Sequence, residues 1–562
     1  MRKTYFLAAL YILCSTHIFS QTPTVGLFTH VAGSYDSGYV LFPPYVNCDT
    51  TYLINRCGKL VHKWPSAYTP GADAFLLPDG SLLRAGHIAN PTFDPCGCGI
   101  GGIIERIDWS GNVAWHYIIS NSLQSQNHDI CPLPNGNILV DVWESIDYPT
   151  AVNYGRNPLY INKTLYVPKV MEIKPLGTDS AEIVWTWRLL DHMIQDYDPI
   201  LPNYGVVKDH PELVDFNYIN TAAEPPNGTD WTHFNSIAYN SDLDQVMLCF
   251  RNFNEIYIID HSIDSATAAG HVGGKYKKGG DLLYRWGNPA VYGRDTTSSE
   301  QKLYLPHNPE WISYGKYKGQ IIIFNNGVGR PGGSGSSIDI INPPVDTSGS
   351  YSLPTGGIYE PSSLSFTYPP TITSSFLSAT MGSAQVLPNG HIFINDAIAG
   401  KFFEIDSSNN IVWQYVNPVS NGVPIEQYTL PTSNSVYRAI VYPTNYPAFT
   451  THAIEPGDPI ELNPIHIDCD STIIIVSGVP QLMPQLISIY PNPSTHTITV
   501  QSNSTSAIQK IWITDMAGKL LLTAEHVATQ QQIDISMLAD GIYLLKAEDV
   551  NGMVSQTKLI KQ

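Results

Sequence analysis

Leu133-Pro-Asn-Gly136 stands between two apolar runs, and the same phrase recurs as Leu77-Pro-Asp-Gly80 and Leu387-Pro-Asn-Gly390. Asn-Gly and Asp-Gly favour the left-handed backbone that closes two-residue β-hairpins, so each copy marks a tight turn between strands. Degenerate copies occupy 239–244 and 314–319, each followed by an apolar strand at 246–250 and 321–324. A second phrase follows the first: a strand ending in Asp or Asn, a glycine turn, then a strand carrying Trp. It runs to Trp64, Trp115, Trp185 and Trp413, and in a longer form from Asp260 to Trp286. The two phrases together make one four-stranded antiparallel unit of about 40–60 residues, the repeat length of a β-propeller.

Five full units are expected, at about 72–117, 128–187, 232–286, 307–367 and 378–415. The strands at 53–64 are left over. The segment 436–467, with a strand-like run at 437–441, is expected to complete them and close a ring of six blades, because an open ring would expose sheet edges. The C-terminal 80 or so residues change character: strand runs at 487–490, 497–501, 508–515, 519–523, 541–547 and 556–560 alternate with Pro/Gly/Asn/Ser turns, as in a small β-sandwich. The expected organisation is a signal peptide at 1–20, a propeller at 21–475, a linker at 476–485 containing Pro480 and Pro484, and the sandwich at 486–562. The whole is all-β.

Composition agrees. The 562 residues hold 30 Lys+Arg against 49 Asp+Glu, a net charge of −19, with only 14% charged, 11% aromatic, and 43 Gly and 42 Pro. Low charge with many aromatics argues against disorder. The acidic balance, with no basic run, argues against a nucleic-acid or anionic-lipid partner. The start, with Arg2 and Lys3, an apolar stretch at 5–13 and Ser20, has the layout of a secretory signal. No later run approaches the ~18 apolar residues of a membrane helix. In an oxidising compartment Cys48 could pair with Cys57, and Cys96, Cys98 and Cys131 could supply another bridge.

Aligned on their first hairpins, three units place a histidine at the start of the inner strand: His128, His233 and His307. Inner strands line the channel of a propeller, so the three imidazoles are expected to converge at one mouth, each beside a polar neighbour (Asp129, Asn235, Asn308) able to fix a tautomer for acid–base work. Arg330 ends Asn325-Asn-Gly-Val-Gly-Arg330 beside a glycine-rich stretch, a suitable anion clamp. Arg84 and Arg251 follow first-hairpin strands and are lesser candidates. The residues suggest no cofactor and no metal: there is no Gly-x-Ser-x-Gly elbow, no phosphate loop before a helix, and no helical His spacing.

At 104–115, 127–139, 230–236, 279–288 and 324–330 the chain resembles the arylsulfotransferase family, exported six-bladed propellers that move sulfate between phenols without a nucleotide donor. The resemblance implies an aryl sulfate donor and a phenolic acceptor, with His233, His307 and Arg330 in the sulfate-binding and proton-transfer positions. The family's sulfate-accepting histidine is expected from the blade after Arg330, but Met381-Gly-Ser-Ala-Gln385 has none there; His128 is the candidate substitute. A non-catalytic binding propeller and a sulfate ester hydrolase are the alternatives. The C-terminal part, with Ile489-Tyr-Pro-Asn-Pro-Ser494, Ile513-Thr-Asp-Met-Ala-Gly-Lys519 and Gly541-Ile-Tyr-Leu-Leu-Lys546, resembles the sorting domain of the type IX secretion system of Bacteroidota. That implies the secretion machinery as partner, with secretion or cell-surface attachment via periplasm and outer membrane.

Overall fold

Hydrophobic alternation and hairpin turns shape a nearly all-β chain in the computed structural model. The structure describes residues 23–562 except 94–98, 162, 221–228, 296, 298, 466–472, 475–486, 503–506, 515–519 and 551–553. The expected signal peptide and linker therefore lie outside the described residues. The chain divides into two compact units, Met1–Ile475 and Val476–Gln562.

Among the described residues the first unit contains six antiparallel sheets of four or more strands, four of them plain meanders, together with two two-stranded ribbons. Their first strands are Pro70–Leu76, Gln124–Pro132, Phe234–Asn240, His307–Trp311, Ser383–Val386 and Ile440–Tyr442. These strands contact one another from sheet to sheet, which makes them the inner strands. Ile440–Tyr442 pairs with Tyr39–Phe42, so one sheet is built from both ends of the unit, as the 437–441 run suggested. Gln385 bonds both N–H and C=O of Val441 and joins that sheet to its neighbour. Gly26–His30 adds to the outer edge of Ile411–Val416.

Four of the five repeated tryptophans have a structural use. Each sits on the fourth strand of its sheet, and its indole N–H donates to a carbonyl of the next blade: Trp115 to Ser180 (2.8 Å), Trp185 to Ile263 (2.9 Å), Trp286 to Pro361 (2.9 Å) and Trp413 to Arg56 (2.6 Å), whereas the Trp64 N–H is buried without a partner. A buried indole needs such a partner, and here the partner is what ties adjacent sheets together.

At the axis stands Arg438, 3% exposed, bonded to Asp73 (2.7 Å) and Asp129 (2.8 Å) from two other sheets. Burial opposes its charge, but Asp129, Asp73 and Glu310 outweigh that and hold it protonated.

The second unit packs a three-stranded and a four-stranded sheet around one core that includes Ile498, Ile511, Ile513, Leu545 and Leu559. The cysteine expectation needs correction. Cys48 and Cys131 are free thiols, whereas Cys57 is disulfide-bonded, so Cys48 and Cys57 are not a pair. Cys96 and Cys98 lie outside the described residues.

Candidate functional site

The inner strands are irregular where the histidines lie. Each ladder with its second strand slips: between Val140 and Val142, between Phe234 and Ser236, and between His307 and Glu310. A bulge bends its strand and re-aims a side chain. His128 falls inside its bulge with φ 30°, and His233 precedes its first paired residue with φ 49°. His307 is paired, opposite Phe324, and the left-handed residue there is Asn308. The three histidines are thus not equivalent by register, as the hairpin alignment implied. The bulges bring them together instead.

The convergence is close. The rings of His128 and His233 are 4.8 Å apart, edge to face, and Tyr437 stands 6.0 Å from His128 and 6.4 Å from His307. Asn127 bonds the Phe234 carbonyl (3.1 Å) and Asn235 bonds that of Pro306 (3.0 Å), locking the three strands edge to edge.

Each imidazole is held differently. His233 Nδ1 meets Asp230 Oδ2, a buried carboxylate, and the His233 side chain is 12% exposed. His307 Nδ1 faces Asn326 Oδ1 at 2.7 Å and the Leu305 carbonyl at 3.2 Å, while Met381 N–H donates to Nε2 at 3.2 Å. That set fixes His307 as a neutral ring protonated on Nδ1, with no lone pair left for a metal ion. Burial, with Arg251 and His233 adding to it, brings its pKa down to about 3. His128 is also held well below the usual histidine range, by burial first and then by His233, His307 and Arg251. Its Nδ1 is buried without a hydrogen-bond partner.

Of the three candidate arginines, Arg251, a lesser one, adds to burial in lowering the pKa of His307 and His128. Its backbone N–H donates to the His233 carbonyl (3.0 Å) and its guanidinium to Asn252 (3.1 Å), and its buried Nε, like those of Arg84 and Arg330, has no partner. Arg330 donates to Ser337 (2.9 Å) on its own sheet and lies over the Tyr304 ring at 5.3 Å. Arg84 is committed to Glu105. The sequence signal for Arg251 was only its place after a hairpin strand. Asp230, three residues before His233, was a signal within the 230–236 stretch that went unread, and Tyr437 is far in sequence from all three histidines.

Across the blade after Arg330, Gly382 has φ 109°, and a Cβ there would sit 2.7 Å from the Phe324 ring. The space beside Met381-Gly-Ser is filled by Phe324 and by the Met381 N–H bonded to His307.

Residues 96–348 match the arylsulfotransferase (ASST) family. That segment is similar to the arylsulfotransferase family. Residues 488–562 match the secretion system C-terminal sorting domain, which marks the chain for export to the cell surface or for secretion. No curated protein matches the chain. Among solved structures, a protein of unknown function from Bacteroides caccae is 11% identical, with 72% of this chain and 98% of that one covered and a TM-score of 0.38. Virginiamycin B lyase from Staphylococcus aureus is 12% identical over 75% of this chain and 100% of its own, TM-score 0.31. A periplasmic gluconolactonase from Pseudomonas aeruginosa is 9% identical over 72% and 98%, TM-score 0.33. The arylsulfotransferase match contains His128, His233, His307, Arg251 and Arg330 alike. No helix among the described residues is long and apolar enough to cross a membrane.

Proposed function

We propose that the protein is an exported, nucleotide-independent aryl sulfotransferase that moves a sulfuryl group from a phenolic sulfate ester to a phenol. The observation that carries this reading is the meeting of inner-strand rings, with His128 and His233 4.8 Å apart and Tyr437 6.0 Å from His128 and 6.4 Å from His307. Burial first, and then the positive potential of His233, His307 and Arg251, keeps His128 neutral, and the same potential favours an oxyanion beside it.

In this reading Arg251 binds the sulfuryl oxygens, since a guanidinium fork matches a tetrahedral oxyanion. Arg330, the family's clamp by resemblance, lies on Tyr304 and would have to turn to share that task. His233 is the acid and base: Asp230 orients the ring through Nδ1–H and stabilises its imidazolium, leaving Nε2 to handle the proton. His128, kept neutral, is the nucleophile. Its nitrogen attacks sulfur, the S–O(aryl) bond breaks, and the leaving phenolate takes the proton from His233 Nε2. The acceptor phenol then returns a proton to His233 as its oxygen takes the sulfuryl group and the N–S bond breaks. His307, with both nitrogens committed, positions the site through Asn326 and Met381.

One observation favours a second reading. Phe324 packs against Gly382 in the stretch that lacks the family's histidine, which suits a propeller that binds a sulfate ester without transferring it. An assay with 4-nitrophenyl sulfate separates the two. The transferase reading expects nitrophenolate release that rises with added phenol and falls at least about 100-fold in Arg251→Gln. Release independent of phenol means hydrolysis, and no release with tight binding means a binding propeller.

A further inference from the structure

A second polar cluster lies away from the histidine trio, where the sheet that begins with Gln124–Pro132 meets the one that begins with Phe234–Asn240. His192 ends the turn Leu189–His192 that follows strand Ser180–Arg188. His271 and Asp281 come from the segment between strands Glu255–Asp260 and Tyr284–Trp286. We propose that His192, His271 and Asp281 form a divalent-cation site suited to Zn²⁺ or a similar borderline transition ion.

Hydrogen-bond accounting leads to this. His192 Nε2 faces the Ala268 carbonyl at 2.9 Å, and a carbonyl only accepts, so Nε2 carries a proton. A neutral His192 then has its lone pair on Nδ1, yet Nδ1 faces Asp281 Oδ1 at 2.8 Å. His271 Nδ1 faces the same oxygen, also at 2.8 Å. A lone pair against a carboxylate oxygen is repulsive unless a cation stands between them, either a second proton on His192 or a metal ion. The three ligand atoms lie within 4.8 Å of one another, and the two rings are 5.9 Å apart at 88°, edge to face.

The surroundings match those of a metal-ligating histidine. A ligand imidazole typically donates its other N–H to a carbonyl, which fixes ring and tautomer, as Ala268 does for His192. The His192 ring stacks on Trp187 (5.2 Å, 6°), and Trp187 donates to the Gly280 carbonyl at 2.7 Å. A Cβ on Gly280 would lie 2.0 Å from the Ala268 carbonyl oxygen and 2.8 Å from His192 Nε2, so the loop before Asp281 closes tightly on the ring. Asp191 adds negative potential at both histidines, and Lys278 opposes it near Asp281. His192 is fully buried and fixed, whereas His271 is 56% exposed and free to close on an ion. Two histidines and one carboxylate leave a fourth position for water. The ion would pin the 263–281 loop to the neighbouring sheet.

The test uses the full chain, stripped with a chelator and titrated with ZnCl₂ in a calorimeter. One equivalent is expected to bind in the wild type, at least about tenfold more weakly in His271→Ala, and with unchanged affinity in His128→Gln. His271 is exposed, so its loss leaves the fold intact; a zinc-dependent rise in Tm should appear in the wild type and vanish in His271→Ala. No uptake by the wild type would mean that a second proton on His192 fills the role and would overturn the proposal. So would uptake that is kept in His271→Ala and lost in His128→Gln.

Discussion

His307 shows how much one side chain's hydrogen bonds decide. Asn326 accepts from its Nδ1–H and Met381 donates to its Nε2, so adding a proton would turn the Met381 contact from attraction to repulsion. Its pKa falls to about 3 from an ordinary 6.5, with burial the main cause and Arg251 next. A pKa lower in the folded state means the unfolded chain takes up the proton first. The stability His307 confers is therefore complete above about pH 6.5 and is lost as pH falls toward 3, at up to about 1.4 kcal/mol per pH unit. Urea unfolding at pH 7.5, 6.0 and 4.5 should show this loss in the wild type and a smaller one in His307→Gln, where the amide can keep both hydrogen bonds. An identical loss in the two proteins would mean that the folded state protonates His307 freely. The ring's position was legible from the repeat. Its tautomer was not, because Asn326 and Met381 come from other strands whose side chains and backbone no motif in the sequence links to it.

At the scale of elements, the short run from Val436 to the strand Ile440–Tyr442 closes the ring, and its hairpin-partner logic was visible in advance. Arg438 within it was not singled out, since Asp73, Asp129 and Glu310 are distant in sequence and meet only at the axis. That buried charge has a testable consequence. Arg438→Met should destabilise the propeller by about 3–5 kcal/mol, because two buried carboxylates lose their counter-charge. Adding Asp129→Asn should recover part of the loss. Chemical denaturation measures both, and a cost below about 1 kcal/mol for Arg438→Met would mean the strand ladder alone closes the ring. A similar limit hid the strand Gln530–Asp534 in the second unit. Its buried positions are Gln531 and Ile533, so only one apolar residue marked its inward face.

For the whole molecule, six sheets among the described residues, tryptophan ties between them and a terminal sorting domain make an exported scaffold, and the proposed chemistry is assigned to its inner strands. Turn phrases and the Trp period carried the architecture, because hairpins and strand alternation are local and recur. The site was legible in part. Three inner-strand histidines were found from a common alignment, but bulges, which leave no mark in the sequence, bring them together from different register positions. Arg251 follows the strand paired with the bulged one and its N–H donates to the His233 carbonyl, while Arg330, chosen for its glycine-rich loop, donates to Ser337. In the proposed reaction His128 accepts the sulfuryl group from an aryl sulfate beside His233 and Arg251. Pulsing the purified protein with ³⁵S-labelled 4-nitrophenyl sulfate, without acceptor, and quenching in denaturant should leave protein-bound label that phenol discharges and that folded His128→Gln lacks; label undiminished in that variant, or phenol-dependent release with no bound label, would rule His128 out as the acceptor.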